Sequence, residues 1–309
     1  MTGHVSSFGQ NGGVELPPTS VVICSRNRPQ MLRDVVASVL DGHQVPAELV
    51  IVDQSDLPND QLKGLGSQGG CEVNYRWSRS VGLSLANNDG AAAARHDLLL
   101  FTHDDVLVAP DWFSKLVSTQ MQQGRLVVTT GRVLADTAEA QGAFAPSTKA
   151  DTEPAVFSGR RCDGVLYPQN MAMDRAVFSK IGGFDERLGP GTPFPAAEDN
   201  DFCWRLLEAG YRIVYEPQAT VRHRAWRSQT AYLPLRWGYG RGQGAFYAKY
   251  LSANDRFLFW CMVSSLRGHI GRFARRLGNE RRLDAGEIAY TLGVLTGAAQ
   301  WLLMPPRRR

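Results

Sequence analysis

The sequence predicts an α/β fold, a mostly parallel sheet flanked by helices and followed by a helical C-terminal extension. Three observations lead there. Over the first two thirds of the 309 residues, short β-branched apolar runs alternate with segments of helical periodicity. Several of those runs end abruptly in polar or acidic residues, and in open α/β sheets ligand crevices lie beyond the carboxyl ends of strands. From Trp237 onward the alternation stops and arginine-bearing helical segments take over. With 43% hydrophobic and 21% charged residues, the chain can bury a sizeable core and is not mostly disordered.

The first strand is Ser20-Val21-Val22-Ile23-Cys24, an apolar run suited to a buried parallel strand. A helix follows, with Asn27 as cap, Pro29 in its first turn, and Met31/Leu32, Val35/Val36 and Val39/Leu40 at helical spacing. Glu48 to Val52 reads as a second strand ending at Asp53, completing a βαβ unit with a parallel crossover. Next come a strand around Val73 to Trp77, an alanine-rich helix from Leu85 to Arg95, and the run Leu98 to Phe101, which ends in His103-Asp104-Asp105. Ala135 to Arg161 lacks periodicity and reads as a mobile surface loop able to cover the site. Order returns with Tyr167 to Met173, a helix from Asp174 to Ile181, a helix from Asp199 to Ala209 closed by Gly210, and a strand from Tyr211 to Tyr215.

Phe257 to Leu277 is an amphipathic basic helix, and Ile288 to Met304 is mostly apolar, about 17 residues and at the lower limit for crossing a bilayer. The expected organisation is a flexible tail (1–18), an α/β domain (19–235) and a helical tail (236–309). Net charge is +4, yet Asp255 to Arg309 alone holds ten arginines and four acidic residues. Such a tail suits an anionic membrane surface, and no nucleic-acid recognition motif accompanies it. The N-terminus lacks the basic-then-apolar pattern of a secretory leader. Cys24, Cys71, Cys162, Cys203 and Cys261 are scattered and odd in number, so neither a zinc site nor a disulfide framework is expected, and a reducing cytosol is the simplest compartment.

Asp104-Asp105 is the sharpest local signal, because two hard oxygen ligands at a strand end can hold Mg²⁺ or Mn²⁺ against a diphosphate. Alone, such a pair is more often a solvated turn; the preceding LLLF strand and the polar ends of its neighbours favour function. Glu198-Asp199-Asn200-Asp201 opens a helix, where carboxylates can simply cap free amides. The alternative is a carboxylate facing a crevice and accepting a proton from an attacking hydroxyl. His223 is either an ordinary polar residue or the imidazole completing the coordination begun by Asp105. Asp53 is a turn residue or a hydrogen-bond acceptor for a base or ribose, and Arg26 and Arg28 are solvated or meet phosphate.

In order along the chain, SVVICSRNRP (Ser20 to Pro29), LVIVDQS (Leu49 to Ser55), Gly82 to Ala94, LLLFTHDDV (Leu98 to Val106), NMAMDRAVFSKIGGFDE (Asn170 to Glu186) and EDNDFCWRLLEAGYRIVYEP (Glu198 to Pro217), ending in His223, resemble the family 2 glycosyltransferases of the GT-A, Rossmann-like type. The resemblance implies a nucleotide-sugar donor bound by Ser25, Arg26, Asp53, Asn87, His103 and Asp104. It implies a metal held by Asp105 and His223, Asp199 as catalytic base, and Glu198 and Asp201 toward the acceptor. His103 stands where the family usually has an acidic residue, and Asn87 where an arginine is common. LPLRW (Leu233 to Trp237) resembles half of the signature of processive synthases but has Leu233 in place of glutamine.

The expectation is therefore an inverting, metal-dependent enzyme using Mg²⁺ or Mn²⁺ and adding one sugar per encounter to a glycan or lipid-linked hydroxyl acceptor. It would lie in the cytoplasm, peripheral on the inner membrane face, and serve the cell envelope. The alternatives are a sugar nucleotidyltransferase, which leaves Glu198 to Asp201 unexplained, and a non-catalytic nucleotide- or glycan-binding module.

Overall fold

The computed structural model describes residues 16–137, 144–224, 226–252, 254–276 and 281–305. Its first half follows the expected alternation: β1 (Thr19–Ser25), α1 (Pro29–Leu40), β2 (Glu48–Asp53), α2 (Asp60–Lys63), β3 (Ser67–Gln68), β4 (Cys71–Trp77), α3 (Leu83–Ala93) and β5 (Leu98–His103). β4, β2, β1 and β5 lie side by side and parallel. Successive side chains of a strand point to opposite faces. Thus Val21 and Ile23 join one core layer with Leu32, Leu49, Ile51 and Trp112, while Val22 and Cys24 join the other with Val50, Phe101, Phe178 and Phe202. The small residues of α3 let it lie on the sheet: a Cβ on Gly90 would sit 2.3 Å from Val22 Cγ1.

The second half is mixed. It comprises β6 (Val106–Val108), α4 (Trp112–Gln123), β7 (Val127–Ala135), β8 (Ala155–Phe157), β9 (Asn170–Asp174), α5 (Arg175–Ile181), α6 (Glu198–Glu208) and β10 (Arg212–His223). β9 inserts antiparallel between β5 and β7, and β10 pairs parallel with β7 but antiparallel with β6 and β8. The sheet is therefore less parallel than the sequence suggests. Trp112 Nε1 donates to Asn170 Oδ1 at 2.8 Å and ties α4 to β9 inside the core.

Several local expectations are corrected. Asn27 does not cap α1: Arg28 precedes the helix, and Asn27, at φ 56°, exchanges hydrogen bonds with Asp56 across the β1 and β2 loops. The presumed loop from Ala135 to Arg161 carries β8 and a bridge between Val133 and Lys149; residues 138–143 lie outside the described residues. β10 does not stop at Tyr215 but continues through an irregularity after Glu216 to His223.

The tail forms α7 (Tyr232–Lys249), α8 (Phe257–Arg276) and α9 (Arg281–Leu303). Leu277, Arg307, Arg308 and Arg309 lie outside the described residues, as do residues 1–15 of the expected N-terminal tail. α7 is invisible to periodicity because glycine costs about 1 kcal/mol per helical position. Here the glycines allow backbone contact: a Cβ on Gly240 would lie 2.3 Å from the Tyr290 carbonyl, one on Gly244 2.0 Å from that of Val294, and one on Gly297 2.0 Å from that of Arg241. α9 is thus packed on α7, and no helix among the described residues is long and apolar enough to cross a membrane. α8 turns Leu258 and Cys261 inward against Trp204, Phe246 and Val294. Cys261 is disulfide-bonded to Cys162, Cα to Cα 5.2 Å. That pairing stands against the expectation of no disulfide framework in a reducing cytosol; the partners are 99 residues apart, Cys261 in α8 and Cys162 in the segment between β8 and β9. Cys24, Cys71 and Cys203 are free and buried.

Candidate active site

The strand register sets the polar ends side by side, with Ser25 opposite Asp53 and Cys24 opposite His103. Beyond them opens a cleft of about 790 Å³. Ser25, Arg26, Arg28 and His103 to Asp105 form one wall; Glu198 to Asn200, His223 and residues of α7 form the other.

On the first wall, Ser25 Oγ donates to Asp104 Oδ2 at 2.8 Å, and Arg28 Nη1 reaches Asp104 Oδ1 at 3.0 Å and Asp105 Oδ2 at 3.1 Å. The antiparallel pairing of β10 with β6 puts His223 opposite Val106, and His223 Nε2 comes within 3.5 Å of Asp105 Oδ1. Burial, then the charge of Asp105, pushes Asp104 up to about 6 against the opposing pull of Arg28 and Ser25. Burial also pushes Asp105 upward, but His223, His103 and Arg28 outweigh it and hold this carboxyl below the usual range. Burial drives His103 down to about 4, which leaves its imidazole neutral near pH 7.

These residues suit a divalent cation shared with a diphosphate. Among the described residues no three His, Cys, Asp or Glu side chains converge as a closed metal cage. A cation bridging substrate phosphates needs only one or two protein carboxylates, with phosphate and water oxygens for the rest. Arg28 already places positive charge between Asp104 and Asp105, and His223 Nδ1 and His103 Nε2 are buried polar atoms with no hydrogen-bond partner.

On the second wall, Ala197 adopts the left-handed conformation at φ 69° and turns the chain into α6. Asp199 Oδ1 accepts from the backbone N–H of Asn200 at 2.7 Å. Glu198 packs against Gly189, where any Cβ would crowd its carboxylate carbon at 3.0 Å. Both acids touch solvent through the cleft mouth yet lie deep, and burial raises both pKa values; the charge of Asp199 raises Glu198 further. Asp201 is turned away. Its buried carboxylate binds Arg205 Nε at 2.9 Å, Lys249 Nζ at 2.5 Å and Tyr250 Oη at 2.7 Å, and it is not on the cleft wall. Of the two residues expected toward the acceptor, only Glu198 lines the cleft.

Two donor-side expectations are also displaced. Asp53 is buried behind the wall, accepting from Tyr75 Oη at 2.7 Å and the Ser55 N–H at 3.0 Å; its neighbour Gln54 lines the cleft instead, held by Ser80 and Gly82. Asn87 sits beneath the wall, accepting from Cys24 Sγ at 3.2 Å, its Nδ2 without a partner. Sequence reasoning missed Arg227, Tyr239, Gln243 and Tyr290 on the far side. The last three project from helices α7 and α9, and nothing in the glycine-rich α7 sequence advertises a site.

The glycosyl transferase family 2 profile matches residues 20–182, more than half of the chain. The chain belongs to this family. It is a nucleotide-sugar-dependent glycosyltransferase, which sets aside the nucleotidyltransferase and non-catalytic readings. It is 28% identical over 223 residues to the glucosyl-dolichyl phosphate glucuronosyltransferase of Haloferax volcanii, covering 69% of this chain and 71% of that one. It is 30% identical over 212 residues to the pre-mycofactocin glycosyltransferase of Mycobacterium tuberculosis, covering 66% of this chain but only 42% of the relative. Among solved structures it resembles the mannosyltransferase PcManGT of Pyrobaculum calidifontis in complex with GDP-Man and Mn²⁺ (TM-score 0.57, 14% identity, 94% of this chain and 81% of that one). It also resembles GalNAc-T7 with UDP, GalNAc and Mn²⁺ (TM-score 0.51, 20% identity, 67% and 43%). At such identities the likeness carries the fold, which is GT-A.

Proposed function

We propose that the family 2 glycosyltransferase domain moves a single sugar from a nucleotide sugar to a hydroxyl acceptor with inversion, Asp199 serving as base. The observation that carries this reading is the division of the cleft: a diphosphate-side group of Arg28, Asp104, Asp105 and His223 faces a separate acidic pair, Glu198 and Asp199. Ser25, Arg26, Gln54, His103 and Asp104 position the nucleotide, and Asp53 and Asn87 support that wall from behind. Asp105 and His223 would hold Mg²⁺ or Mn²⁺, which when bound offsets the charge growing on the leaving diphosphate.

Glu198 feels the charge of Asp199, so Asp199 ionises first and Glu198 keeps its proton. The Asp199 carboxylate takes the proton of the acceptor hydroxyl as that oxygen bonds to the anomeric carbon. The bond from this carbon to the diphosphate oxygen breaks on the opposite face, and the nucleoside diphosphate leaves with the electron pair. Displacement from one face inverts the anomeric centre.

For the acceptor we favour a lipid-linked hydroxyl in cell-envelope synthesis, reached at the inner membrane face. The Haloferax relative is named for a dolichyl phosphate substrate. Phe259, Trp260 and Ile270 of α8 are exposed beside exposed Arg256, Arg267 and Arg275, and Ile288, Leu292, Leu295, Leu302 and Leu303 form an outward apolar stripe on α9. Apolar insertion with several arginines near anionic head groups, about 1 kcal/mol each, suits peripheral attachment. Incubation with UDP-, GDP- and dTDP-sugars, Mg²⁺ or Mn²⁺, and short polyprenyl-phosphate sugars tests the reading. The expected result is transfer with inverted anomeric configuration; transfer with retention would overturn it.

A further inference from the structure

The start of α6 is gripped by α7 at three separate places. A Cβ on Gly242 would lie 2.4 Å from the carbonyl of Ala196, so the α7 backbone rests on the turn that enters α6. Seven residues further along, Lys249 and Tyr250 bind the buried carboxylate of Asp201. Between these anchors, Asn200 Nδ2 donates to Gln243 Oε1 at 2.7 Å. On its other side, Asn200 lies so close to Gly164 that a Cβ there would meet Asn200 Oδ1 at 2.0 Å. The Asn200 side chain therefore has one place to sit. Its own backbone N–H is the donor that fixes Asp199 Oδ1 at 2.7 Å.

Gln243 is 8% exposed and lines the cleft. A buried amide costs free energy unless it is hydrogen-bonded, and an apolar side chain of similar size would fill the same space at no such cost. Docking of α7 does not require it, because the glycine contact and the Asp201 ion pairs already fix the helix on either side. Within α7 the amide also donates to the Tyr247 hydroxyl; toward α6, what Gln243 supplies is the acceptor for Asn200.

We propose that Gln243 is a positioning residue for transfer: by holding Asn200 it fixes the backbone N–H that aims the Asp199 carboxylate at the acceptor hydroxyl. The α7 helix, outside the matched family segment, thereby takes part in setting the geometry of the base. This rests on the reading of Asp199 as the base.

The test compares Gln243→Met, Asn200→Ala and Asp199→Asn with the unaltered full chain, using whichever UDP-, GDP- or dTDP-sugar the unaltered chain turns over best. A second readout needs no turnover: titration of the Asp199 carboxyl by carbon NMR, assigned through the signal missing in Asp199→Asn. Gln243→Met is expected to lower kcat about tenfold with donor KM and melting temperature little changed, as a displaced catalytic group does. The Asp199 midpoint and the acid limb of the kcat profile should both rise, since a donor to the ionised form is no longer held. Asn200→Ala should behave alike, and the double variant should be no worse than either single one. An unchanged Asp199 midpoint in Gln243→Met overturns the proposal. If Asp199→Asn retains full kcat, the base reading itself fails; if it abolishes transfer while Gln243→Met keeps full kcat, only the positioning role fails.

Discussion

His223 Nε2 stands 3.5 Å from Asp105 Oδ1 although 118 positions separate the two in the chain. They meet because β10 ends antiparallel to β6, the short strand that begins one residue after Asp105. Metal-stimulated donor binding should therefore depend on both. Calorimetric titration of UDP- and GDP-sugars, with and without Mn²⁺, should show the stimulation lost in Asp105→Ala and weakened about 10- to 100-fold in His223→Ala. Full stimulation in Asp105→Ala would remove that carboxylate from the cation site.

Asp199→Asn keeps the shape and the Asn200 contact while removing the carboxylate proposed as base. Donor affinity should stay, and kcat should fall by at least about 10²-fold, within the range for general acid–base catalysis. Glu198→Gln should cost much less, because the proton Glu198 already holds makes it resemble an amide. A larger loss in Glu198→Gln than in Asp199→Asn would exchange their roles.

The same pair predicts a pH signature in stability. Burial, reinforced by Asp199, holds Glu198 above its ordinary 4.5. Tyr167 and Tyr239 face the pair from the segment before β9 and from α7, and Arg227 lines the same cleft. A raised carboxyl binds its proton more tightly when folded, so its contribution is fully present below pH 4.5 and is lost as pH rises through the raised value. Melting curves from about pH 5 to about pH 9 should show the wild type falling steadily behind Glu198→Gln. A constant gap between the two would place Glu198 at its ordinary value.

Peripheral attachment can be tested without removing helices that the fold needs. A chain carrying Trp260→Ser, Ile270→Ser and Leu295→Ser should stop pelleting with vesicles containing anionic lipid while keeping its activity on a soluble acceptor. Equal pelleting of both chains would assign these exposed side chains another role.

What the sequence made legible is what neighbouring residues encode. The runs before Ser25, Asp53 and Asp105 are buried strands because their own β-branched and apolar side chains alternate between two core layers. The start of α6 was less legible. Asp199 and Asp201 look equivalent in sequence, but two steps along a helix turn roughly 200°, and only the structure shows which of them meets Lys249. Asp53 looks like a ligand-facing strand end, yet Tyr75 claims it from the neighbouring strand β4. The Cys162–Cys261 bond and the acceptor-side wall depend on α7 and α8 folding back on the sheet, which no local pattern states.

The glycine contacts between α7 and α9 change how the C-terminal helices should be regarded in protein engineering. Their sequence resembles a dispensable appendage, rich in small residues and lacking acidic motifs, and would invite truncation or alanine scanning. At Gly240, Gly244 and Gly297 even a single methyl group would strike main-chain atoms of the opposing helix. A fusion or cut placed within this pair would loosen α7, whose Gly242 backbone rests on the turn that enters α6.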